Sequence, residues 1–97
     1  MKTWKTEGAY VPIKTWAEDL EEGAIEQLNN CSKLPFAFHH VASAPDAHQG
    51  YGAAIGTIFA SKDVIVPNMV GVDIGCGMCS IKTNLTEIDE YDLKKIM

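Results

Sequence analysis

The spacing of apolar residues predicts one amphipathic helix in the first third of the chain. Four apolar positions recur at intervals of four residues, and Ile25 widens the stripe: Trp16, Leu20, Ala24 and Leu28. Thr15 and Glu18 fit a capping box, so the predicted helix spans residues 16–30, although Gly23 weakens it. Acidic side chains fill its outer face, which is typical of a helix that packs one side on a core.

Shorter apolar runs predict strands in the middle of the chain. Residues 34–42 read as one strand, and residues 44–52 as a turn-rich loop. Residues 53–60 and 64–66 read as two further strands, and the short polar segment 61–63 between them predicts a hairpin.

The two ends of the chain are patterned less clearly. Residues 1–14 read as irregular, and residues 78–83 as a strand. Residues 86–97 read as a helix that starts at Thr86 with Asp89 and has no C-terminal Gly or Asn stop, so we expect a truncated chain. The mixture of helices and hairpins predicts an α+β fold rather than a regular βαβ array.

Composition limits what the chain can do alone. Its 97 residues allow one small domain, and 46% of them are hydrophobic, enough for a modest core. Thirteen acids against eight lysines, with no arginine, give a net charge of −5. Because no basic patch is visible, this chain does not by itself supply a phosphate-binding surface for RNA. Without a signal-like start or a membrane-length apolar run, we expect a cytoplasmic protein that does not engage a membrane.

The densest candidate chemistry lies in the glycine-rich segment 70–79. Asp73 and Cys76 are three residues apart, and Gly75 allows turns that place both groups on one side. A carboxylate with a thiolate suits a divalent ion of intermediate softness, such as Mn²⁺ or Zn²⁺. The segment therefore predicts a metal-binding loop.

Cys76 and Cys79 also form a C-x-x-C pair, which leaves two alternatives open. Half of a zinc knuckle would need a second ligand pair, and a thiol redox pair would usually open a helix, which the flanking glycines disfavour. For Cys79 alone a small buried apolar role is expected. Cys31, at a helix end, is expected to be structural.

Histidines and a further aspartate form the second group of candidates. Asp46 and His48 in a loop could orient one another or hold a metal-bound water or a substrate hydroxyl. The alternative is a turn in which Asp46 bonds its own backbone and His48 is exposed. His39 and His40 fall on a predicted strand, so they should face opposite sides, one buried and one exposed.

Three stretches together closely resemble the N-terminal motifs of the RtcB family of RNA-splicing ligases: residues 45–52, 66–68 and 70–78. Residues 11–14 and 34–36 fit as well, so the resemblance covers nearly the whole chain in order. It implies that residues 1–97 are a single N-terminal portion of a larger RtcB-like catalytic domain.

The resemblance also implies an activity. Such ligases join RNA ends that carry a 2′,3′-cyclic phosphate or 3′-phosphate to a 5′-hydroxyl, in tRNA splicing or RNA repair, using GTP and two Mn²⁺ ions. An archease-type activating protein is a possible partner of the complete enzyme. By analogy, Asp73 and Cys76 would bind metal, Cys76 as a bridge between the ions, and Asp46 would have a supporting catalytic role.

The chain departs from the family pattern in one respect. The remaining metal ligands and the guanylated nucleophile of such ligases are histidines further along a much longer chain, and His39, His40 and His48 do not match them. The basic residues that hold GTP and RNA are also absent. We therefore expect this chain alone to be catalytically inactive.

Overall fold

The computed structural model describes residues 1–97, which form two α-helices, a short 3₁₀ helix and four strands. In chain order these elements are β1 (Lys2–Trp4), β2 (Ile13–Thr15), α1 (Glu22–Ser32), β3 (Ala37–His48), β4 (Ile55–Ser61), the 3₁₀ helix Pro67–Met69 and α2 (Glu90–Ile96).

The four strands make one mixed sheet in the order β1-β2-β3-β4. β1 and β4 pair antiparallel with their neighbours, whereas β2 and β3 run parallel, with Ile13 opposite Val41. Parallel strands cannot be joined by a tight turn, and α1 provides the crossover between them. The sheet and two helices confirm the predicted α+β class, with one βαβ unit inside it.

The core lies where α1 packs on the β2–β3 pair. Ile13, Leu28 and Val41 are completely buried there, one from each of these elements. Four smaller side chains complete the cluster: Val11, Ala24, Cys31 and Ala54. The predicted inner face of the helix is therefore confirmed at Ala24 and Leu28, and Cys31 is buried at the helix end as expected.

The predicted start of this helix is wrong. Thr15 pairs with Ser43 as the last residue of β2, and the Trp16 N–H donates to the Ser43 carbonyl at 3.0 Å. The Thr15 hydroxyl accepts instead from the N–H of Ala17, so no capping box forms with Glu18. Because the sheet holds this backbone extended, α1 begins only at Glu22.

Several of the strand predictions need correction. Residues 1–14 are not irregular throughout, since they include β1 and the start of β2. β3 continues to His48, through the first half of the predicted loop 44–52. β4 matches the predicted strand 53–60 closely, but it pairs with β3.

Residues 64–66 form no strand, so the predicted hairpin is wrong. Asp63 has a positive φ of 63°, and the Ser61 hydroxyl donates to the Val64 carbonyl at 2.7 Å. This turn follows the end of β4, and no further strand pairs with β4.

The last third of the chain contributes nothing to the core, since every residue from 70 to 97 is exposed. The predicted strand 78–83 is absent; no neighbouring strand pairs with it, and an unpaired strand is not stable in water. α2 begins at Glu90, with the Asp89 carboxylate accepting from the Asp92 N–H at 2.8 Å, so the predicted start at Thr86 is wrong. Neither helix is long and apolar enough to cross a membrane.

Truncation of Leu28 should test the core directly. We expect Leu28→Ala to lower the free energy of unfolding by about 2–5 kcal/mol, because it leaves a cavity between α1 and the sheet. Urea unfolding followed by circular dichroism measures the change. Glu26→Ala, on the exposed side of the same helix, should change it by less than about 0.5 kcal/mol. Equal losses in the two variants would contradict the proposed packing.

Candidate functional site

Asp46 and His48 are both exposed at the end of β3, on either side of the buried Ala47. The pairing of β3 with β4 is irregular between Ser43 and His48. The His48 Nδ1 atom lies 3.0 Å from the carbonyl oxygen of Asp46. A carbonyl can only accept, so Nδ1 carries the proton in this contact and Nε2 is left free. The two residues do contact one another, through the Asp46 backbone rather than its carboxylate.

Helix α1 holds the loop that follows these two residues. The Gln27 side-chain amide donates to the Gly50 carbonyl at 2.7 Å and accepts from the Gly50 N–H at 3.0 Å. The Glu21 carboxylate, on the residue that precedes the helix, accepts from the Gln49 N–H. The backbone of residues 49 and 50, directly after His48, is therefore bonded to the helix and to its N-cap residue.

Gly23 lies against the end of the Gln49 side chain. A Cβ atom at this position would collide with the side-chain amide of Gln49. The glycine that weakens the helix in the sequence thus leaves space for the end of the Gln49 side chain. A Cβ at Gly50 would similarly collide with the Ala53 carbonyl oxygen.

Sequence reasoning missed Glu21 and Gln27 as supports of this site. Both look like ordinary members of a polar helix face, and each contacts a residue more than twenty positions away. The only local signal was the glycine at position 23, which interrupts an otherwise good helix pattern.

Asp73 and Cys76 occupy an exposed turn, as the glycine-rich sequence predicts. Residues 72–75 form the turn, and the Cys76 N–H donates to the Asp73 carbonyl at 3.1 Å. Gly75 has a φ of 88°, a conformation that glycine adopts without strain. Both side chains are exposed and close in sequence.

The donors present make only part of a metal site. No three His, Cys, Asp or Glu side chains come together anywhere in the chain, so Asp46 does not join Asp73 and Cys76 in one cluster. A closed site normally needs three or four protein ligands. Carboxylate and thiolate fit the donor chemistry of Mn²⁺ or Zn²⁺, but residues 1–97 leave such an ion incompletely held.

The cysteines differ sharply in their surroundings. Cys79 is exposed, so its expected role as a small buried residue is wrong. Cys76 and Cys79 are free thiols, and no helix begins at either, which removes the context of a thioredoxin-like pair. Burial raises the pKa of the Cys31 thiol, which keeps it protonated and unreactive.

The two adjacent histidines lie outside the candidate site. His39 is exposed and has a φ of 61°, with its ring edge-on to Phe38 at 4.2 Å between centroids. His40 is partly buried. As expected, one of the two histidines is less exposed than the other, although neither is fully buried.

Comparison with known proteins matches most of the chain to one family. The family model described as tRNA-splicing ligase RtcB matches residues 27–97. The RNA-splicing ligase RtcB of Escherichia coli K12 is 46% identical over 80 residues, which cover 80% of this chain and 20% of that protein. The tRNA-splicing ligase RtcB of Nanoarchaeum equitans is 38% identical over 89 residues, and that of Methanococcus maripaludis is 43% identical over 75.

These similarities span only part of the relatives. The matched regions cover 82% and 74% of this chain but 18% and 16% of the two archaeal proteins, so the chain spans about a fifth of the length of the curated relatives it matches. No solved structure matches it significantly.

Thiol labelling should separate the three cysteines. In the folded chain at neutral pH we expect Cys76 and Cys79 to react rapidly with a small alkylating reagent, because both are exposed. Cys31 should react only after unfolding, because its raised pKa lowers the thiolate fraction and the core shields it. Mass spectrometry of the labelled peptides gives the three rates. Equal native rates for all three would contradict the burial of Cys31.

Proposed function

The chain belongs to the RtcB family of tRNA-splicing ligases, and from this premise we propose that it forms one part of an RNA ligase active site. The proposed reaction joins RNA ends carrying a 2′,3′-cyclic phosphate or 3′-phosphate to 5′-hydroxyl ends, with GTP and Mn²⁺. The observation that carries the proposal is the family match over residues 27–97, which contain Asp46, Asp73 and Cys76.

In this proposal Asp73 and Cys76 are metal ligands. Their exposure in a turn supports it, because both donor atoms are accessible to an ion and to the rest of an active site. Bound metal ions would supply electrostatic stabilisation of the attacking and leaving oxygens. Cys76 would hold such an ion through its thiolate sulfur, and Asp73 through its carboxylate.

Asp46 has a supporting role in the proposed site. Asp46 is exposed two residues before His48, at the end of a strand that is held by the core. A group on a well-packed strand is suited to orient a substrate or a metal-bound water, because its position is set before the ligand arrives.

The charge of the chain supports a proposal in which another part of the ligase binds RNA and GTP. A net charge of −5 without arginine is poorly suited to hold RNA phosphates or GTP. The proposal therefore assigns RNA, GTP and any archease-type activator to the other four-fifths of a family-length protein. The substrate would be tRNA halves or broken RNA.

The isolated 97-residue chain should not ligate RNA. We expect no joined product when it is incubated with 3′-phosphate and 5′-hydroxyl RNA, GTP and Mn²⁺, because it has two candidate metal ligands and no basic surface. Denaturing gel electrophoresis of labelled RNA detects the product. The E. coli enzyme serves as a positive control, and turnover by the chain alone would refute this expectation.

A chimeric ligase tests the proposed function itself. We expect residues of this chain, exchanged for the 80 matching residues of the E. coli K12 protein, to support ligation. In that chimera Asp73→Ala and Cys76→Ala should each reduce the rate more than about 100-fold, beyond the loss usual for residues that only orient a ligand. Cys79→Ala is the matched control, a thiol three residues away that the proposal does not use.

Two results of this experiment would count against the proposal. A chimera without activity would show that the segment cannot serve a ligase. Equal losses at Cys76 and Cys79 would favour a function that requires both thiols.

A further inference from the structure

We infer that Gln27 is a positioning residue, which fixes the loop after β3 so that His48 keeps its proton on Nδ1 and presents Nε2 beside Asp46. The inference rests on the proposed function for the importance of Asp46. It assigns a role in the site to a helix residue that lies outside the sequence motifs.

The first step is the pairing between Gln27 and Gly50. One side-chain amide satisfies both the N–H and the C=O of a single residue, at 3.0 and 2.7 Å. A neighbouring strand would pair a residue in the same two-point way, and here a side chain replaces it. Two bonds from a planar group fix the orientation of Gly50 as well as its distance from the helix.

The second step is that the helix is itself fixed. Leu28, adjacent to Gln27, is completely buried against the sheet. Gly23 lies one turn before Gln27 on the same face, and the Gln49 side chain passes over it. Glu21 accepts from the Gln49 N–H. The loop is therefore held by a helix that cannot shift without opening the core.

The third step links the loop to the candidate groups. His48 and Asp46 precede Gly50 by two and four residues, and Ala47 between them is buried. The loop is thus held on one side by the core and on the other by Gln27. Within these two restraints the His48 ring turns back to the Asp46 carbonyl, which selects the Nδ1–H form. An imidazole freed from this contact would exchange between both tautomers.

The resulting arrangement has a chemical use. A histidine whose Nδ1–H is held by a backbone carbonyl offers Nε2 as a directed acceptor or ligand, the usual way in which proteins orient an imidazole. Asp46 is also exposed, two residues before His48. Gln27 maintains the orientation of His48 without touching His48 or Asp46.

The experiment compares Gln27→Leu with Glu26→Leu in the 97-residue chain. Glu26 is the exposed neighbour on the same helix and has no side-chain hydrogen bond to lose. In Gln27→Leu we expect hydrogen exchange at the Gly50 amide to accelerate at least about tenfold, as the loss of two ordinary hydrogen bonds implies. Exchange at Val41, which lies in the core strand β3, should stay at its native rate.

The His48 tautomer provides a readout that a purely structural role would not move. Nitrogen-15 chemical shifts of its imidazole should indicate Nδ1–H in the native chain and in Glu26→Leu. In Gln27→Leu they should shift toward a mixture of tautomers. Unchanged Gly50 exchange, unchanged His48 shifts, or equal acceleration at Val41 and Gly50 would each overturn the inference.

A second variant covers the case in which Gln27→Leu fails to fold. Gln27→Glu keeps the side-chain length and the acceptor for the Gly50 N–H but loses the donor to the Gly50 carbonyl. We expect exchange at Gly50 to be faster than native, and the His48 shifts to move in the same direction as in Gln27→Leu. Native values for both would overturn the inference.

The link to catalysis is tested separately in the chimeric ligase. There Gln27→Leu should lower kcat at least about tenfold and leave KM for RNA near its native value, because misplaced groups affect the reaction more than binding. A kcat equal to that of Glu26→Leu would overturn the positioning role. If the chimera with the native sequence is inactive, the proposed function fails while the Gly50 and His48 measurements still decide the local geometry.

Discussion

The packing of α1 across the parallel β2–β3 pair is the constraint on which the rest of this structure depends. Ile13, Leu28 and Val41 meet there with no exposed surface. A parallel pair requires a crossover, so the helix is both the covalent link between the two strands and the cover for their inner face. β1 and β4 then add to the two sides of this unit. Removing the helix would leave a sheet with no core.

Helix α1 also contacts several other parts of the chain. Three consecutive residues have three different partners: Leu28 contacts the core, Gln27 pairs with Gly50, and the Asn29 carboxamide accepts from Trp4 and Thr6. Successive helix positions point about 100° apart, so one short segment can reach the sheet and elements on either side of it. The N-terminal strand and the loop after β3 are consequently fixed to the same rigid body, which makes the geometry of Asp46 a property of the fold.

Local patterns predicted the parts of this structure that depend on local physics. The buried stripe at Ala24 and Leu28 follows from helical spacing, and the turn at Asp73 follows from a glycine that can adopt positive φ. The helix start was wrong because Thr15 pairs with Ser43, 28 residues away, and the strand at 78–83 was wrong because alternation cannot supply a partner. The pairing of Gln27 with Gly50 could not be predicted for the same reason, because it depends on a contact that forms only once the sheet has assembled.

The two halves of the candidate site are supported in opposite ways. Asp46 lies on a strand held by the core, and the loop after it is bonded to α1. Asp73 and Cys76 lie in a segment whose apolar side chains, among them Val72, Ile74 and Met78, are almost fully exposed. Apolar exposure on this scale is unusual for a folded surface that has no partner. Packing within residues 1–97 therefore sets the position of Asp46 but not the orientation of the two proposed ligands. A metal bound by Asp73 and Cys76 alone would have to fix the orientation of both side chains. The free-energy cost of this ordering would lower the affinity for the metal. The burial of the apolar side chains around the turn, rather than the ion, is then the step that would complete the site.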